Sequence, residues 1–392
     1  MSASTKTPIW MNIVFLIGTP TLAIILCPWY LSIHGIQSST IAVSLFLWCV
    51  AGMGITVGYH RLFSHRSFQA NRVVRLLALI CGASALQNSA LTWSADHRRH
   101  HRNVDHETED PYSISKGFLW AHIGWVFFET DKDNQIDNVS DLTKDPLVMW
   151  QHRHYKTIAA LTNLGFPLFF GWIFGNIWEM LLFACLAKVV VSHHFTFCIN
   201  SLAHVWGSQP WSSANSSKDN WFVSLFTFGE GYHNYHHSFE ADYRNGPLWY
   251  NYDPSKWLIW VLSKLGWASD LRRIPAERIY RRRYQERKAL YPSKELFNAW
   301  IHSAEEQQKE LVVYLKTRLE ETETALLEKL SNLRDTQRKW TKAKRAHLNS
   351  KKWKTQLQKS QASAKQTLKE WEQLLEAYVA EIEALSPQML AT

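Results

Sequence analysis

Nine histidines in closely spaced groups are the residues of this 392-residue chain best suited to chemistry. In chain order they are His60 and His65 in HRLFSH, His97, His100 and His101 in HRRHH, His204 in NSLAH, and His233, His236 and His237 in HNYHH. Neutral imidazole is the commonest metal-binding side chain in proteins. Each group also lies at the edge of an apolar stretch. This combination indicates a metal centre at a membrane surface, suited to oxidative chemistry on a lipid.

The spacing within the groups predicts how the imidazoles converge. Helix positions i, i+3 and i+4 share one face, so each HxxHH motif aims three imidazoles at the same place. His60 and His65 are five residues apart, about 140° around an α-helix, so they converge only if their helix ends or bends between them. Gly58 is compatible with such a bend. His204 follows Asn200 by one turn, so Asn200 can add an oxygen ligand directly or through water.

The number and type of the candidate ligands favour two metal ions. Nine nitrogens exceed the three or four that a zinc site uses, and they suit two ions with four or five ligands each. Neutral nitrogen ligation with open positions suits iron and O2 activation better than structural zinc. The five cysteines are scattered singly with no CxxC pair, which argues against a disulfide framework or a zinc ribbon.

The elements that must position these histidines are membrane helices. Residues 7–60 contain no Asp, Glu, Lys or Arg, and a polar break near 32–40 divides them into two spans of about 20 residues, as a bilayer core requires. A second pair of spans is joined by a short turn at Gly175–Asn176. The four predicted spans cover about 9–30, 40–59, 157–174 and 177–200. Lys188, inside the fourth span, either faces a cavity or partner or extends to the interface.

The segment 76–95 is free of charge and long enough to span, yet we predict an interfacial helix there. If it crossed the membrane, His97–His101 would lie on the opposite side from His60 and His65. With four spans, all the histidine motifs and both termini lie on one side. The loops of the other side contain no Lys or Arg, whereas the histidine side is rich in Arg, so the active site and both termini are expected in the cytoplasm.

The motifs HRLFSH, DHRRHH, NSLAH and GEGYHNYHHSF resemble those of the membrane-bound fatty acid desaturases, most of all the acyl-CoA Δ9 (stearoyl-CoA-type) group, in a bacterial-type form without a fused cytochrome b5. The resemblance runs from about residue 10 to 265. It implies an all-α integral membrane fold, in a bacterial inner membrane, with four transmembrane helices and a cytosolic helical cap that holds a His-rich dimetal site. The ligands implied for two Fe2+ ions are His60, His65, His97, His100, His101, His204, His233, His236, His237 and, through a water, Asn200.

The resemblance also implies an activity: O2- and electron-dependent removal of two vicinal hydrogens from a saturated acyl chain, which leaves a cis double bond at Δ9. No catalytic residue beyond the metal ligands is implied. A bent tunnel is expected to hold the chain, lined by Gln87, Trp93, Thr196 and Phe197. No HPGG heme motif occurs, so a separate ferredoxin, rubredoxin or cytochrome is the expected electron donor. Two alternatives stay open: a diiron hydroxylase of lipid or alkane, and a non-catalytic membrane scaffold stabilised by metal.

One departure from the family leaves the acyl carrier open. Basic residues that contact coenzyme A in the animal enzymes are replaced here by Ala95 and Glu129–Thr130. Coenzyme A could be held instead by Arg99 or by the basic run Arg272–Lys288. Alternatively, the substrate is an acyl group already esterified in a membrane lipid.

The C-terminal part differs in character, so we divide the chain into a membrane desaturase domain, 1–290, and a helical extension, 291–392. A heptad frame in the extension predicts a coiled coil or a folded-back helical hairpin, and leaves open a long solvated helix. The apolar columns are Val312, Leu319, Leu326, Leu333 and Trp340, then Leu357, Ala364, Trp371, Tyr378 and Leu385, with Leu368, Leu375 and Ile382. The extension could mediate oligomerisation. The preceding basic run is expected to face anionic lipid headgroups, and no nucleic-acid partner is expected.

Overall fold

Within the part of the chain that the structure describes, four helices are long and apolar enough to cross a membrane, as predicted, and many of their large apolar side chains are exposed on the outer surface. They cover Trp10–His34, Ser38–Ser64, Pro146–Phe174 and Ile177–Val205. The structure, a computed structural model, describes residues 7–129, 135–292, 297–298, 301, 304–346, 348 and 350–384. The third helix begins well before the predicted span because Asp145 caps it, accepting from the Leu147 amide at 3.1 Å, and Pro146 fits its first position.

The described part of the chain is almost entirely helical. Its α-helices are α1 (Trp10–His34), α2 (Ser38–Met53), α3 (Arg72–Ala83), α4 (Ala90–Arg102), α5 (Phe118–His122), α6 (Ser140–Thr143), α7 (Pro146–Ala160), α8 (Phe166–Phe174), α9 (Ile177–Met180), α10 (Lys188–Asn200), α11 (Leu202–Val205), α12 (Trp221–Phe226), α13 (His233–Ser238), α14 (Pro254–Lys264), α15 (Ala276–Lys288), α16 (Glu306–Arg345) and α17 (Lys351–Glu383). Four two-residue strands form two antiparallel pairs: β1 (Thr7–Pro8) with β3 (Phe128–Glu129), and β2 (Gln69–Ala70) with β4 (Ala268–Ser269).

A π-helix over Gly54–Ser64 continues α2 and carries His60. Its amides bond to the fifth preceding carbonyl, as the His65 amide does to the His60 carbonyl at 3.0 Å. This wider turn brings side chains five residues apart onto nearly the same face. The helix does end between His60 and His65, as their convergence required, but the π-helical widening was not predicted.

The π-helix packs closely on α3. An added Cβ at Gly54 would lie 2.3 Å from the backbone carbonyl carbon of Cys81, so the two helices touch through a glycine. We expect Gly54→Ala to cost about 1–3 kcal/mol, because a backbone contact cannot relax as a side chain can. The apparent melting temperature of the detergent-solubilised protein measures this. Gly18→Ala is the matched control, since nothing lies within 4 Å of its added Cβ. Equal melting temperatures for the two variants would contradict this account of the contact.

The interfacial helix predicted over 76–95 is interrupted, because α3 ends at Ala83 and α4 begins at Ala90. In the break, Leu86 and Asn88 have φ values of 56° and 73°, which side-chain-bearing residues rarely adopt. The polar residues between α3 and α4 therefore lie in a break in the helix and not on one face of a continuous helix. Ser89 then caps α4 by accepting from the Thr92 amide.

The chain divides into two compact units. The first comprises Met1–Gln209 and Ala214–Arg273, and its core lies among the π-helix, α3, α4, α7 and α14. Tyr59, Leu79, Leu91 and Ile259 are among its fully buried side chains. This core includes residues of the π-helix and α4, which also carry histidines of the predicted metal site.

The second unit comprises Pro210–Ser213 and Ile274–Thr392, so it begins before residue 291. Within it, α16 and α17 form an antiparallel hairpin, as the Lys329–Thr367 hydrogen bond at 2.6 Å indicates. The helical extension is thus confirmed, and its apolar columns are buried within the chain itself. Those buried are Val312, Leu319, Leu326, Leu333, Leu357, Ala364, Leu368, Trp371, Leu375, Tyr378 and Ile382, whereas Trp340 is half-buried and Leu385 lies outside the described residues. The boundary at 290 remains a prediction.

Candidate metal centre

The structure gathers all nine histidines into two adjoining groups. The first group is His60, His65, His97, His101 and His236, and the second is His100, His204, His233 and His237. Within each group the ligand atoms lie within 4.8 Å of one another. The HRRHH motif lies on α4 and the HNYHH motif on α13, and each motif contributes to both groups.

The Nε2 atoms point towards one another. In the first group, His236 Nε2 lies 2.9 Å from that of His60 and 2.8 Å from that of His101. In the second, His233 Nε2 lies 3.1 Å from that of His204 and 3.0 Å from that of His237. Each group thus encloses a point at which several imidazole nitrogens can bind the same ion.

Several of the Nδ1 atoms face outward to polar partners. His60 Nδ1 lies 2.8 Å from a Glu230 carboxylate oxygen, and His100 Nδ1 lies 2.8 Å from Asp110. His101 Nδ1 lies 3.3 Å from Glu240, and His204 Nδ1 lies 2.7 Å from the Ser216 hydroxyl. A carboxylate in contact with Nδ1 accepts its proton and leaves the Nε2 lone pair free for a metal. The Ser216 hydroxyl donates to Asp105, so it too accepts from His204 Nδ1.

The charge state of the histidines also fits metal binding. Burial, followed by the neighbouring histidines, holds the pKa of His97, His233 and His236 well below the ordinary value, and burial lowers the pKa of His101 to about 4. These rings are therefore neutral near pH 7. Neutral rings that point Nε2 lone pairs at one another across about 3 Å repel, and a cation between them removes the repulsion. The residues present fit two metal ions.

A buried network of charged side chains contacts the first group through His60 Nδ1, on the side of the ring away from Nε2. Arg61 is 1 % exposed and donates to Glu230 at 2.9 Å and to Asp253 at 3.2 Å. The Asn245 amide also donates to Glu230. Burial would raise the pKa of Glu230, but His60 and Arg61 together lower it, so the carboxylate is charged. His60 is thereby held by a fixed anion.

A cavity of about 600 Å³ ends at the histidines. Gln87, Trp93, Thr196 and Phe197 all line it, as do His60, His97, His100 and His233. The Gln87 side chain donates to the Thr196 hydroxyl at 2.9 Å and accepts from the Trp93 indole at 3.3 Å. Trp93 in turn stacks on His97, with ring centroids 4.8 Å apart. The helix break at 84–89 therefore inserts Gln87 into the cavity wall, while contact with a substrate remains a prediction.

Other residues singled out in the sequence have clear places. Asn200 ends α10 and lines the same cavity, and its role through water remains a prediction. Lys188 is buried and donates to the Asn163 side chain at 2.6 Å, so it has a partner within the protein. Ala95 is buried and Glu129 lies in β3, whereas Thr130 lies outside the described residues.

Sequence reasoning missed the residues that orient the histidines. Glu230, Asp110, Tyr112 and Ser216 were not predicted, although Tyr112 lies 3.4 Å from His97 Nδ1. A signal was present for Glu230 alone, because it stands three residues before the HNYHH motif within an otherwise uncharged stretch. The others lie in loops whose approach to the site depends on the fold.

Comparison with known proteins agrees with this geometry. The family model described as fatty acid desaturase matches residues 38–254, which contain all nine histidines. The chain belongs to the fatty acid desaturase family. It is therefore an integral membrane protein with a metal-binding site.

Three relatives carry named activities. A probable acyl-CoA desaturase of Schizosaccharomyces pombe is 39 % identical over 72 % of this chain and 58 % of its own length. Acyl-CoA desaturase 1 of Saccharomyces cerevisiae is 39 % identical over 67 % and 52 %. Stearoyl-CoA desaturase 5 of Bos taurus is 33 % identical over 70 % and 83 %. The chain spans little more than half the length of the two yeast relatives.

Proposed function

We propose that this protein is a fatty acyl desaturase that introduces a cis double bond at Δ9 of a saturated chain. The observation that carries the proposal is the cavity of about 600 Å³ that ends at two groups of histidines. Its volume lies in the range of small-molecule sites. The activities named for the three relatives, acyl-CoA and stearoyl-CoA desaturation, support the introduction of a double bond into an acyl chain. In the overall reaction, two hydrogens leave adjacent methylenes and O2 is reduced to two waters, with two further electrons and two protons.

Two iron ions, when bound by the histidines, would supply the activation of O2. The chain's own residues position both participants. The Nδ1 partners hold the imidazoles in one tautomer, and the buried cavity wall excludes water from the reacting carbons. Because methylenes are chemically alike, the position of the double bond depends on where the cavity holds the chain. The Gln87–Thr196–Trp93 hydrogen bonds fix that part of the wall.

A double bond in a host's lipids is the direct test of this proposal. We expect fatty acid methyl esters from a bacterium expressing the chain to contain new cis-Δ9 monoenes that are absent from the empty-vector control. Because the cavity holds the chain in one position, positional analysis should find one bond position per chain length. Hydroxy acids without monoenes would identify a hydroxylase instead, and an unchanged profile in iron-replete cells would favour a scaffold.

We infer that the acyl chain is carried on coenzyme A, because the three relatives are acyl-CoA or stearoyl-CoA desaturases by name. Arg99 is buried and paired with Asp96 at 3.1 Å, and Arg281, Arg283, Arg287 and Lys288 of the basic run pair with glutamates. The exposed Arg272, Arg273 and Arg278 of that run are therefore the better candidates for the carrier phosphates. Purified protein supplied with either stearoyl-CoA or a stearoyl phospholipid distinguishes the carriers. Turnover of the phospholipid alone would reject this inference.

We further infer that the histidine side faces the cytoplasm of a bacterial cell, across its inner membrane, and that a separate ferredoxin, rubredoxin or cytochrome delivers the electrons. The charge distribution supports this orientation, because the loops opposite the histidines contain no Lys or Arg. Protease added to sealed inverted membrane vesicles should cleave the C-terminal extension, whereas intact spheroplasts should protect it.

The extension carries none of the nine histidines, so we expect its removal to leave metal binding intact. Truncation after Tyr291 should retain about two irons per chain, while thermal stability, oligomeric state or electron delivery changes. Metal analysis of the purified truncated protein, with the full chain as control, measures this. A truncated protein that still inserts into the membrane but binds no iron would contradict the proposed division of the chain.

A further inference from the structure

The turn of the α16–α17 hairpin carries a dense positive charge. Residues 338–354, here called the hairpin tip, contain eight Lys and Arg and no Asp or Glu. All eight of these side chains are exposed. The parts of the hairpin farthest from the turn are acidic: 305–328 contains seven Glu against three Lys or Arg, and 366–384 contains five Glu against one Lys. The hairpin is thus strongly dipolar, and its positive end is the turn.

Apolar side chains accompany the charges at the tip. Trp340 and Trp353 flank the turn, and Leu348 within it is 66 % exposed. Lys339 Nζ lies 5.5 Å from the centroid of the Trp353 ring, so the two helices remain in contact at this point. Tryptophan prefers the membrane–water interface, where its ring meets the headgroups. Exposed basic and aliphatic residues beside half-buried tryptophans are a composition that suits binding to lipid headgroups.

The kind of cation distinguishes a lipid surface from other anionic partners. Six of the eight basic residues of the tip are lysines. A lysine ammonium is a point charge without fixed directionality, whereas arginine is favoured where carboxylates or nucleic-acid phosphates are bound in a bidentate geometry. A lysine cluster therefore suits the diffuse negative potential of a headgroup layer. The hairpin also belongs to an integral membrane protein, so the chain tethers it near a bilayer at high effective concentration.

We propose that the hairpin tip binds an anionic phospholipid surface. The lysines supply the electrostatic attraction, and Leu348 with the two tryptophans supplies contact with the headgroup layer. Neither role requires the metal centre or turnover.

Vesicle flotation of the full-length protein tests this proposal. The protein is reconstituted in nanodiscs of neutral phosphatidylcholine and mixed with vesicles of phosphatidylcholine alone or with about 25 % phosphatidylglycerol. We expect it to float with the anionic vesicles only, and to be released by salt at about 0.5 M, where charges are screened over a few ångströms. The triple variant Lys342→Gln, Lys352→Gln, Lys354→Gln should bind about a hundredfold more weakly, from about fivefold per lysine.

A matched control removes the same charge from the acidic end. Lys309→Gln, Lys316→Gln, Lys369→Gln should bind the anionic vesicles like the wild type. The single variant Lys352→Glu guards against misfolding of the triple variant and should also weaken binding. Equal binding to neutral vesicles, or equal loss in the control variant, would overturn the proposal. Tip-dependent binding of polyglutamate or duplex DNA without binding of anionic vesicles would also overturn it and identify an acidic protein or nucleic acid as the partner class.

Discussion

His236→Ala is expected to abolish turnover and to remove metal from the first group of histidines. His236 Nε2 lies within 3 Å of the same atom in both His60 and His101, so it stands at the centre of that group. Without this ligand the first group is incomplete, so metal affinity should fall by more than about a hundredfold. This exceeds the effect of losing a residue that only contacts a ligand. Iron analysis after a chelator wash and single-turnover product formation measure the two effects.

His154→Ala is the control for this substitution, because His154 is exposed on α7 and belongs to neither group. It should retain both metal and turnover. Full iron content together with wild-type turnover in His236→Ala would show that the first group is not the metal site. If His154→Ala also lost both metal and turnover, the losses in His236→Ala would have to be attributed to misfolding.

Glu230→Gln is expected to weaken metal binding and to destabilise the fold. The substitution keeps the shape of the side chain but removes the charge that contacts His60 and Arg61. Loss of an outer partner of a metal ligand typically costs about 10–100-fold in metal affinity. Arg61 keeps Asp253, so the loss of stability should be near the lower end of the range for a broken buried pair, about 3 kcal/mol. Chelator competition and thermal unfolding of the metal-free protein separate the two effects.

Glu240→Gln provides the comparison, because Glu240 contacts His101 from a side chain that is 58 % exposed. An exposed carboxylate is screened by water, so its removal should change metal affinity by less than about tenfold and leave stability unchanged. If Glu230→Gln and Glu240→Gln behave alike, the buried network around Arg61 does not position His60.

The sequence predicted what depends on local patterns. Hydropathy located all four membrane helices, and histidine spacing located every member of the two groups. Hydropathy and histidine spacing are both local patterns that extend over a few neighbouring residues, so they can be recognised in the sequence without knowledge of the fold. The assignment of histidines to groups could not be read in this way, because the adjacent His100 and His101 point to different groups. That division depends on how α4 and α13 cross.

The features that escaped prediction depend on contacts distant in sequence. Asp110 and Ser216 approach His100 and His204 from loops, and no local pattern marks them. The break that positions Gln87 depends on two residues with positive φ, neither of which is glycine. Residues in such conformations persist where the surroundings hold them, so the sequence alone gives no sign of the break.

The π-helix has a consequence for how this family can vary. Each step along an α-helix turns the chain by about 100° and advances it by about 1.5 Å. A π-helical turn accommodates an additional residue, so removing one residue between Gly54 and His60 would let the segment revert to α-helix. Hydropathy and composition would hardly change, yet His60 and His65, five residues apart, would then point about 140° apart instead of towards one site. The location of the metal is therefore encoded partly in a residue count, and insertions or deletions in this segment are constrained more tightly than conservative substitutions of its residues, all of which are buried.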